Sequence, residues 1–213
     1  MNFSAMIQTT GHYLNDPRQT RFQRPVISRL LNQSQEEVKR IAEQADNTLF
    51  SAIKEYAVVT AEDALEFNLP TDFSKSQAVE RIGGTYPVAA IPVNFSSRSP
   101  ISDDRFLPTG WREVPQYYLR GNKLGIVRPQ EAYTLRLTYS KELADLAADS
   151  DESEVPKDYH DLICLYAAKR GYGGLGREFP QDLESLRVEG IAQMQNYLDD
   201  RDRTGPTYVN VMD

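Results

Sequence analysis

The sequence predicts an α+β protein in which N- and C-terminal helices form a small bundle that carries an inserted antiparallel β-domain. Apolar residues recur at steps of three and four near both ends of the chain, and at every second position between residues 55 and 140. Short, hairpin-like connections join the strand-like segments, as is typical of antiparallel sheets. We therefore expect a helical bundle domain of residues 1–54 and 141–213 with flexible arms, and an inserted antiparallel β-domain of residues 55–140.

The first fifty residues predict an arm followed by one long helix. Residues 1–19 show little periodicity and contain Gly11 and Asn15-Asp16-Pro17, which are typical of a loop or an extended arm. A helix is then expected with Thr20 as its N-cap, and Pro25 is tolerated near its start, where N–H groups lack helical partners. The apolar positions at helical spacing are Val26, Ile27, Leu30, Leu31, Val38, Ile41, Ala42 and Ala45.

The next segment predicts two paired strands and two weaker ones. Residues 56–59 and 65–69 alternate around a short acidic connection, so we expect them to pair as a β-hairpin. Residues 78–82 form a third candidate strand. Residues 88–93 are apolar but follow one proline and contain another, which suits only an edge strand.

The rest of the β-domain predicts a loop, a hairpin and a long strand. Residues 95–109 are rich in Ser, Asp and Pro and predict a long exposed loop, of the kind that makes contacts or is disordered. A second hairpin is expected over residues 116–127, because Gly121-Asn122 suits a tight turn. Residues 132–139 then alternate. Their apolar face comprises Tyr133, Leu135, Leu137 and Tyr139.

The last third predicts two helices. The acidic run of residues 149–154 precedes one helix from about Lys157 to Arg170, and the segment Gly171–Gly176 is expected to break it as a flexible connection. The second helix is expected from about Pro180 to Asp200. Residues 207–211 have the composition of a strand.

Composition argues against several classes of function. Lys and Arg total 24 against 31 acidic residues, and the net charge is −7 at pH 7. A sequence-reading nucleic-acid binder gathers basic residues on one face, whereas here they are scattered and outnumbered. No apolar run is long enough for a membrane helix. The single cysteine, Cys164, cannot form an internal disulfide or a thiolate metal site.

Few residues are candidates for chemistry, and each fits a structural interpretation better. Gly171–Gly176 matches the spacing of a dinucleotide-binding turn, but it follows a predicted helix instead of a strand. His160 and Cys164 lie one helical turn apart and could form a nucleophile pair, although Cys164 falls near the apolar stripe, where a buried core residue is expected. The acidic run lacks the glycine and closing glutamate of a calcium loop. We therefore expect no cofactor and no resident metal.

Eight segments occur in an order that resembles the head–tail adaptor (connector) proteins of tailed bacteriophages. They are Thr20-Arg21-Phe22, Leu31-Asn32, Phe67-Asn68-Leu69-Pro70-Thr71-Asp72-Phe73, Tyr117 to Ile126, Tyr133 to Tyr139, Asp149-Ser150-Asp151, Val155-Pro156-Lys157-Asp158-Tyr159-His160-Asp161-Leu162-Ile163, and Tyr166-Ala167-Ala168. The pattern is similar to that of tail tubular protein A-like proteins and extends over about residues 20–200. The resemblance implies a helical bundle with an inserted β-domain and no catalytic residues, so the chain is expected not to be an enzyme.

The resemblance also implies a place in the virion. Such a protein forms a ring, usually of twelve copies, below the portal protein, extends the DNA channel and receives the next neck or tail protein. We expect assembly in the host cytoplasm, no membrane contact, and genomic DNA that passes through the lumen without specific binding, past a mainly helical lining of acidic or neutral character.

Contacts between subunits are expected at both ends of the chain. Residues 1–19 and 203–213 should lie against other subunits, and residues 207–211 could add a strand to a neighbouring sheet edge. The expected interface residues are Phe22, Arg24, Trp111, Tyr208, Val209 and Val211.

Two alternatives remain open. The chain could be a carbohydrate- or receptor-binding virion module that stacks a sugar on Trp111 and the β-domain tyrosines, although aromatic residues at strand spacing more often belong to a core or an interface. It could also be a hydrolase that uses His160. The tyrosines concerned are Tyr117, Tyr118, Tyr133 and Tyr139.

Overall fold

A computed structural model describes residues 1–46, 48–61, 64–84, 86–93, 114–127, 129 and 131–203. It confirms the predicted α+β fold class, since these residues form four α-helices and two four-stranded sheets. The chain divides into two units. One, here called the helical unit, comprises Met1–Phe50 and Leu143–Asp213, and the other, here called the β unit, comprises Ser51–Glu142.

The helical unit is arranged around its third helix. Its helices are α1 (Phe3–Tyr13), α2 (Arg24–Ala45), α3 (His160–Gly174, preceded by a 3₁₀ turn at Lys157–Tyr159) and α4 (Gln181–Arg203). Helix α3 contacts the other three helices, and every residue from Leu162 to Ala168 is buried. A helix that is buried on all sides has no single apolar stripe, as expected for a central element.

The prediction of a loop or arm over residues 1–19 is wrong, because α1 occupies most of that stretch. Asn2 caps the helix by accepting the N–H of Ala5 at 3.0 Å, and Phe3, Met6 and Ile7 are buried in the core of the helical unit. The expectation that this segment lies against other subunits is therefore wrong for the buried face of α1. An eleven-residue helix containing glycine has low intrinsic stability, so burial against α3 stabilises it more than propensity does.

Helix α2 has the predicted apolar face but a later start. Ile27, Leu31, Val38 and Ala42 are buried as expected. The predicted N-cap is wrong: the N-cap is Gln23, which makes no side-chain capping bond, and proline occupies the first turn. Thr20, the predicted cap, is instead hydrogen-bonded to Asp16 within the preceding loop.

The β unit contains two four-stranded sheets that share one apolar core. The described strands are β1 (Ser51–Val58), β2 (Leu65–Asn68), β3 (Phe73–Ile82), β4 (Val88–Ala89), β5 (Ile91–Pro92), β6 (Gln116–Arg120), β7 (Lys123–Ile126) and β8 (Tyr133–Lys141). Their orders are β1-β8-β3-β4 and β2-β7-β6-β5. Buried side chains of both sheets, among them Leu137 and Leu124, form the core. The pairings are antiparallel except that of β5 with β6, which is parallel.

In the β unit, the predicted hairpin turn, edge strands and alternating strand are confirmed, whereas one predicted strand pairing is wrong. The β6–β7 hairpin forms as predicted, with Gly121 at φ 55°, and β4 and β5 are edge strands. Strand β8 buries Leu135, Leu137 and Tyr139 on the predicted face. Strands β1 and β2 do not form a hairpin, because β1 pairs with β8 and β2 with β7. The predicted loop at residues 95–109 lies outside the described residues.

The glycine-rich segment ends a helix later than predicted. Helix α3 continues through Gly174, so the helix does end within Gly171–Gly176 as predicted, but four residues beyond the predicted last residue, Arg170. A Cβ added to Gly171 would lie 2.5 Å from Leu14 Cδ2, which shows how closely the α1–α2 connection approaches α3 there. The chain turns at Gly176, where φ is 63°, a conformation that favours glycine. The resemblance of this segment to a dinucleotide-binding turn is therefore a matter of spacing alone.

Candidate assembly surfaces

The loop between α1 and α2 is organised by the carboxylate of Asp16. This carboxylate accepts the backbone N–H groups of Thr20 at 3.0 Å and of Arg21 and Phe22 at 2.8 Å, and the hydroxyl of Thr20 at 2.9 Å. These bonds, above all that from the Phe22 amide, lower the pKa of Asp16 to about 2. The loop therefore has a defined shape, and it exposes basic side chains. These are Arg18, Arg21 and Arg24.

Two of the predicted interface residues lie in or beside this loop. Phe22 is 8% exposed and belongs to the core of the helical unit. Arg24 begins α2 and forms an exposed ion pair with Asp149. Contact of either residue with another subunit stays a prediction. The other four predicted interface residues, Trp111, Tyr208, Val209 and Val211, lie outside the described residues.

His160 and Cys164 attach α1 to α3. The Nε2 atom of His160 lies 2.7 Å from the carbonyl oxygen of Val155, and Nδ1 lies 2.8 and 2.9 Å from the amino nitrogen and carbonyl oxygen of Met1. The Sγ of Cys164 donates to the carbonyl of Met6 at 3.6 Å. Both side chains are fully buried, so their contacts lie within the bundle.

The chemistry of this pair favours packing over catalysis. Burial raises the pKa of the Cys164 thiol to about 12, so the thiol is protonated at neutral pH, whereas a nucleophilic cysteine reacts as the thiolate. The neighbouring phenol of Tyr13 donates to the Asp161 carboxylate at 2.9 and 3.0 Å, and burial first, then this bond, raises the pKa of Tyr13. These contacts hold α1 in place.

A network of charged side chains connects α3 to α4. Glu184 accepts from Arg187 at 2.6 and 2.9 Å and from Lys169 at 3.1 Å, and Arg187 also donates to the Tyr166 hydroxyl at 2.7 Å. The hydrogen bond from Arg187 is the main reason why the pKa of Glu184 is lowered to about 2. A second pair joins α3 to α2. Arg170 donates to Glu37 at 2.6 Å. The three helices are thus tied by ion pairs at a partly exposed surface.

The tyrosines proposed for sugar stacking are used within the β unit. Tyr118 and Tyr139 are almost fully buried, and their hydroxyls donate to Glu66 at 2.9 Å and Asp72 at 3.0 Å. Tyr133 is half-buried, and burial raises its pKa to about 12. Tyr118 and Tyr139 are thus core residues, and the partly buried Tyr117 and Tyr133 pack against the same core, which favours the structural interpretation over an exposed stacking platform.

Exposed large apolar side chains fall into two groups among the described residues. In the helical unit they lie on α4 and just after α3: Leu175, Leu186, Val188 and Tyr197. In the β unit they lie on or beside strands at or next to a sheet edge: Ile53, Val59, Tyr86, Val88 and Leu119. Residues of this type at a surface are candidates for contact with other chains. Apolar spacing in the last predicted helix includes Leu186 and Val188 and predicts that they are buried, whereas the structure leaves both exposed.

Two further observations concern other classes of site. None of the described helices combines the length and apolar character needed to cross a bilayer. Within the described ranges, no group of three or more His, Cys, Asp or Glu side chains is placed to hold a metal ion.

Comparison with known proteins finds one family. The model of the SU10 adaptor protein family matches residues 1–211, and therefore extends over both units of the chain. No curated protein matches the chain.

Proposed function

Because the chain belongs to the SU10 adaptor protein family, a family of structural phage proteins, we propose that it is the head–tail adaptor that forms a ring below the portal. Membership of the family makes it a virion component that interacts with other phage structural proteins. The proposal adds that the ring, of about twelve copies, extends the DNA channel and receives a neck or tail protein. Assignment to the tail tubular protein A-like group stays a prediction.

The match over residues 1–211 is the observation on which this proposal depends, and the surface of the chain supports it. The net charge of −7 suits a channel past which DNA slides without specific binding. Exposed apolar side chains on both units offer contacts to neighbouring chains. The same proposal retains a helical bundle domain with an inserted β-domain, assembly in the host cytoplasm and a position in the neck.

The test is assembly with the portal protein. The purified chain, alone and mixed with its portal, is examined by native mass spectrometry and negative-stain microscopy. We expect a closed ring, about twelve chains in size, that binds one end of the portal. A chain that stays monomeric at all concentrations and does not bind the portal would contradict the proposal.

A further inference from the structure

Strand β1 is a sheet edge within the part of the chain that the structure describes. It lies at the end of the order β1-β8-β3-β4, and among the described strands it pairs with β8 alone. In an antiparallel pair, alternate residues direct their N–H and C=O groups away from the partner strand. Among the described residues, about half of the backbone groups of residues 52–58 therefore face no other strand.

The other three described edges are short or lie at proline, whereas the long edge of β1 is limited only by its exposed charged residues Lys54 and Glu55. Strands β4 and β5 have two residues each and lie beside or contain proline, and β2 has four residues. Short length and proline both limit edge-to-edge pairing. Strand β1 has eight residues, contains no proline, and keeps an unbroken register with β8 from Ser51 to Val58.

The outer face of this edge carries apolar side chains on either side of Glu55. Ile53 is 62% exposed, Ala57 is exposed, and Val59, one residue past the strand, is 57% exposed. Residues two apart in a strand share one face, so these three side chains lie on the same side of the sheet. Glu55 shares this face and pairs with Arg136 of β8, so its charge is balanced within the sheet, whereas Lys54 lies on the opposite face.

The chain itself contains a segment that matches this edge. Ten residues follow the end of α4 at Arg203, and after Gly205-Pro206 they read Thr207-Tyr208-Val209-Asn210-Val211. Thr207, Val209 and Val211 are β-branched and alternate, so a strand formed by them presents one apolar face. Beside β1, that face would lie next to three successive positions of the face that holds Ile53, Glu55, Ala57 and Val59.

We propose that the open edge of β1 accepts residues 207–211 of a neighbouring copy as an added strand. This inference rests on the proposed ring. The donor segment and the acceptor edge are different surfaces, so each copy gives one strand and receives another. Such head-to-tail contacts close into rings when the rotation between copies allows it.

The first experiment places cysteines on the two partners. Variants Ile53→Cys, Glu55→Cys and Ala57→Cys are each combined with Val209→Cys in the full chain, and the assembled protein is oxidised. We expect at least one pair to produce a ladder of cross-linked multimers on a non-reducing gel. Glu66→Cys with Val209→Cys is the matched control, because Glu66 lies on the edge of the other sheet.

Three results of this experiment would overturn the inference. A cross-link that migrates as a monomer would place the segment on its own chain. A dimer formed by Ala57→Cys alone would show that two β1 strands pair with each other. Rings in which none of the three pairs cross-links would show that the segment lies elsewhere.

The second experiment removes hydrogen bonds from the donor strand. The double variant Val209→Pro/Asn210→Pro eliminates one N–H directed at β1 in either register, because N–H groups alternate in direction along a strand. We expect the concentration for half-assembly to rise about tenfold or more relative to the control Met212→Pro. Hydrogen exchange of residues 51–58 should slow on assembly of the control and not in the double variant.

The two proposals fail in different ways. If the natural chain assembles and the double-proline variant assembles equally well, with unchanged protection of β1, the strand contact is wrong and the adaptor ring stands. If the natural chain forms no ring with or without the portal, the proposed function itself is wrong.

Discussion

The helical unit and the β unit differ in what hydrogen-bonds the backbone outside regular pairing. In the helical unit, polar side chains bond the backbone groups of connections: Asp16 holds the loop before α2, and Asp151 accepts the N–H groups of Ala147 and Ala148 at 2.9 and 2.8 Å. In the β unit, β1 presents backbone groups on the side away from β8. The comparison shows that side chains bond the backbone of these connections in the helical unit, while in the β unit β1 pairs with β8 alone among the described strands.

The largest expected effect tests how strongly the helical unit depends on α3. Ile163→Ala should lower the free energy of unfolding by about 2–5 kcal/mol, because Ile163 is fully buried at the centre of the bundle and its loss leaves a cavity. Urea denaturation followed by the helical circular dichroism signal measures this. Val188→Ala, on the exposed face of α4, should change the free energy of unfolding by less than about 0.5 kcal/mol. Equal effects of the two variants would contradict the central position of α3.

The next effect tests the packing of the β unit. Gly125→Ala should cost about 1–3 kcal/mol, because a Cβ at Gly125 would lie 2.1 Å from Cζ of the buried Tyr118 ring. Thermal unfolding of the variant measures the loss. Gly84→Ala is the control, since the nearest atom to its Cβ is 3.7 Å away. With Tyr118→Ala already present, the cost of Gly125→Ala should shrink, and strict additivity of the two changes would argue against the contact.

A smaller effect, which depends on pH, tests how Asp16 stabilises the loop between α1 and α2. The pKa of Asp16 is about 2 in the folded chain, below its ordinary value of 3.8, so the carboxylate stabilises the fold above about pH 4. That stabilisation is lost as the pH falls toward 2. Asp16→Asn should therefore lower Tm at pH 7 and differ less and less from the natural chain between about pH 4 and 2. A Tm difference that is constant with pH would contradict this role, and Asp145→Asn, at an exposed position, serves as the control.

The smallest effect on stability tests Arg24. Its ion pair with Asp149 is exposed, so Arg24→Ala should change the free energy of unfolding by less than about 1 kcal/mol. If Arg24 also lies at a subunit interface, ring assembly should weaken clearly more than stability does. Arg29→Ala, an exposed arginine five residues further along the same helix, is the control. If both variants assemble equally well, the prediction that Arg24 lies at the interface is wrong.

Features governed by neighbours in the chain were predictable from the sequence. The stripe of α2, the alternation of β8 and the turn at Gly121 each depend on spacing over a few residues, and all three are present. Of the candidate interface, the sequence proposed Phe22 as a contact, whereas the structure buries its side chain in the chain's own core. Phe22 sits there because Asp16 binds its amide, a contact that no local pattern reports.

The sequence by itself determined the fold class, the predicted order of a helix, a β region and two helices, and the β6–β7 hairpin, because periodicity and turn chemistry act locally. Only the tertiary structure decided that residues 3–13 form a helix, that β1 pairs with a strand about eighty residues away, and that β1 lies at the end of its sheet among the described strands. Helix α1 is stabilised by burial against α3, and a strand pairs with whichever partner completes the core. Both depend on contacts between distant parts of the chain, which local spacing does not encode.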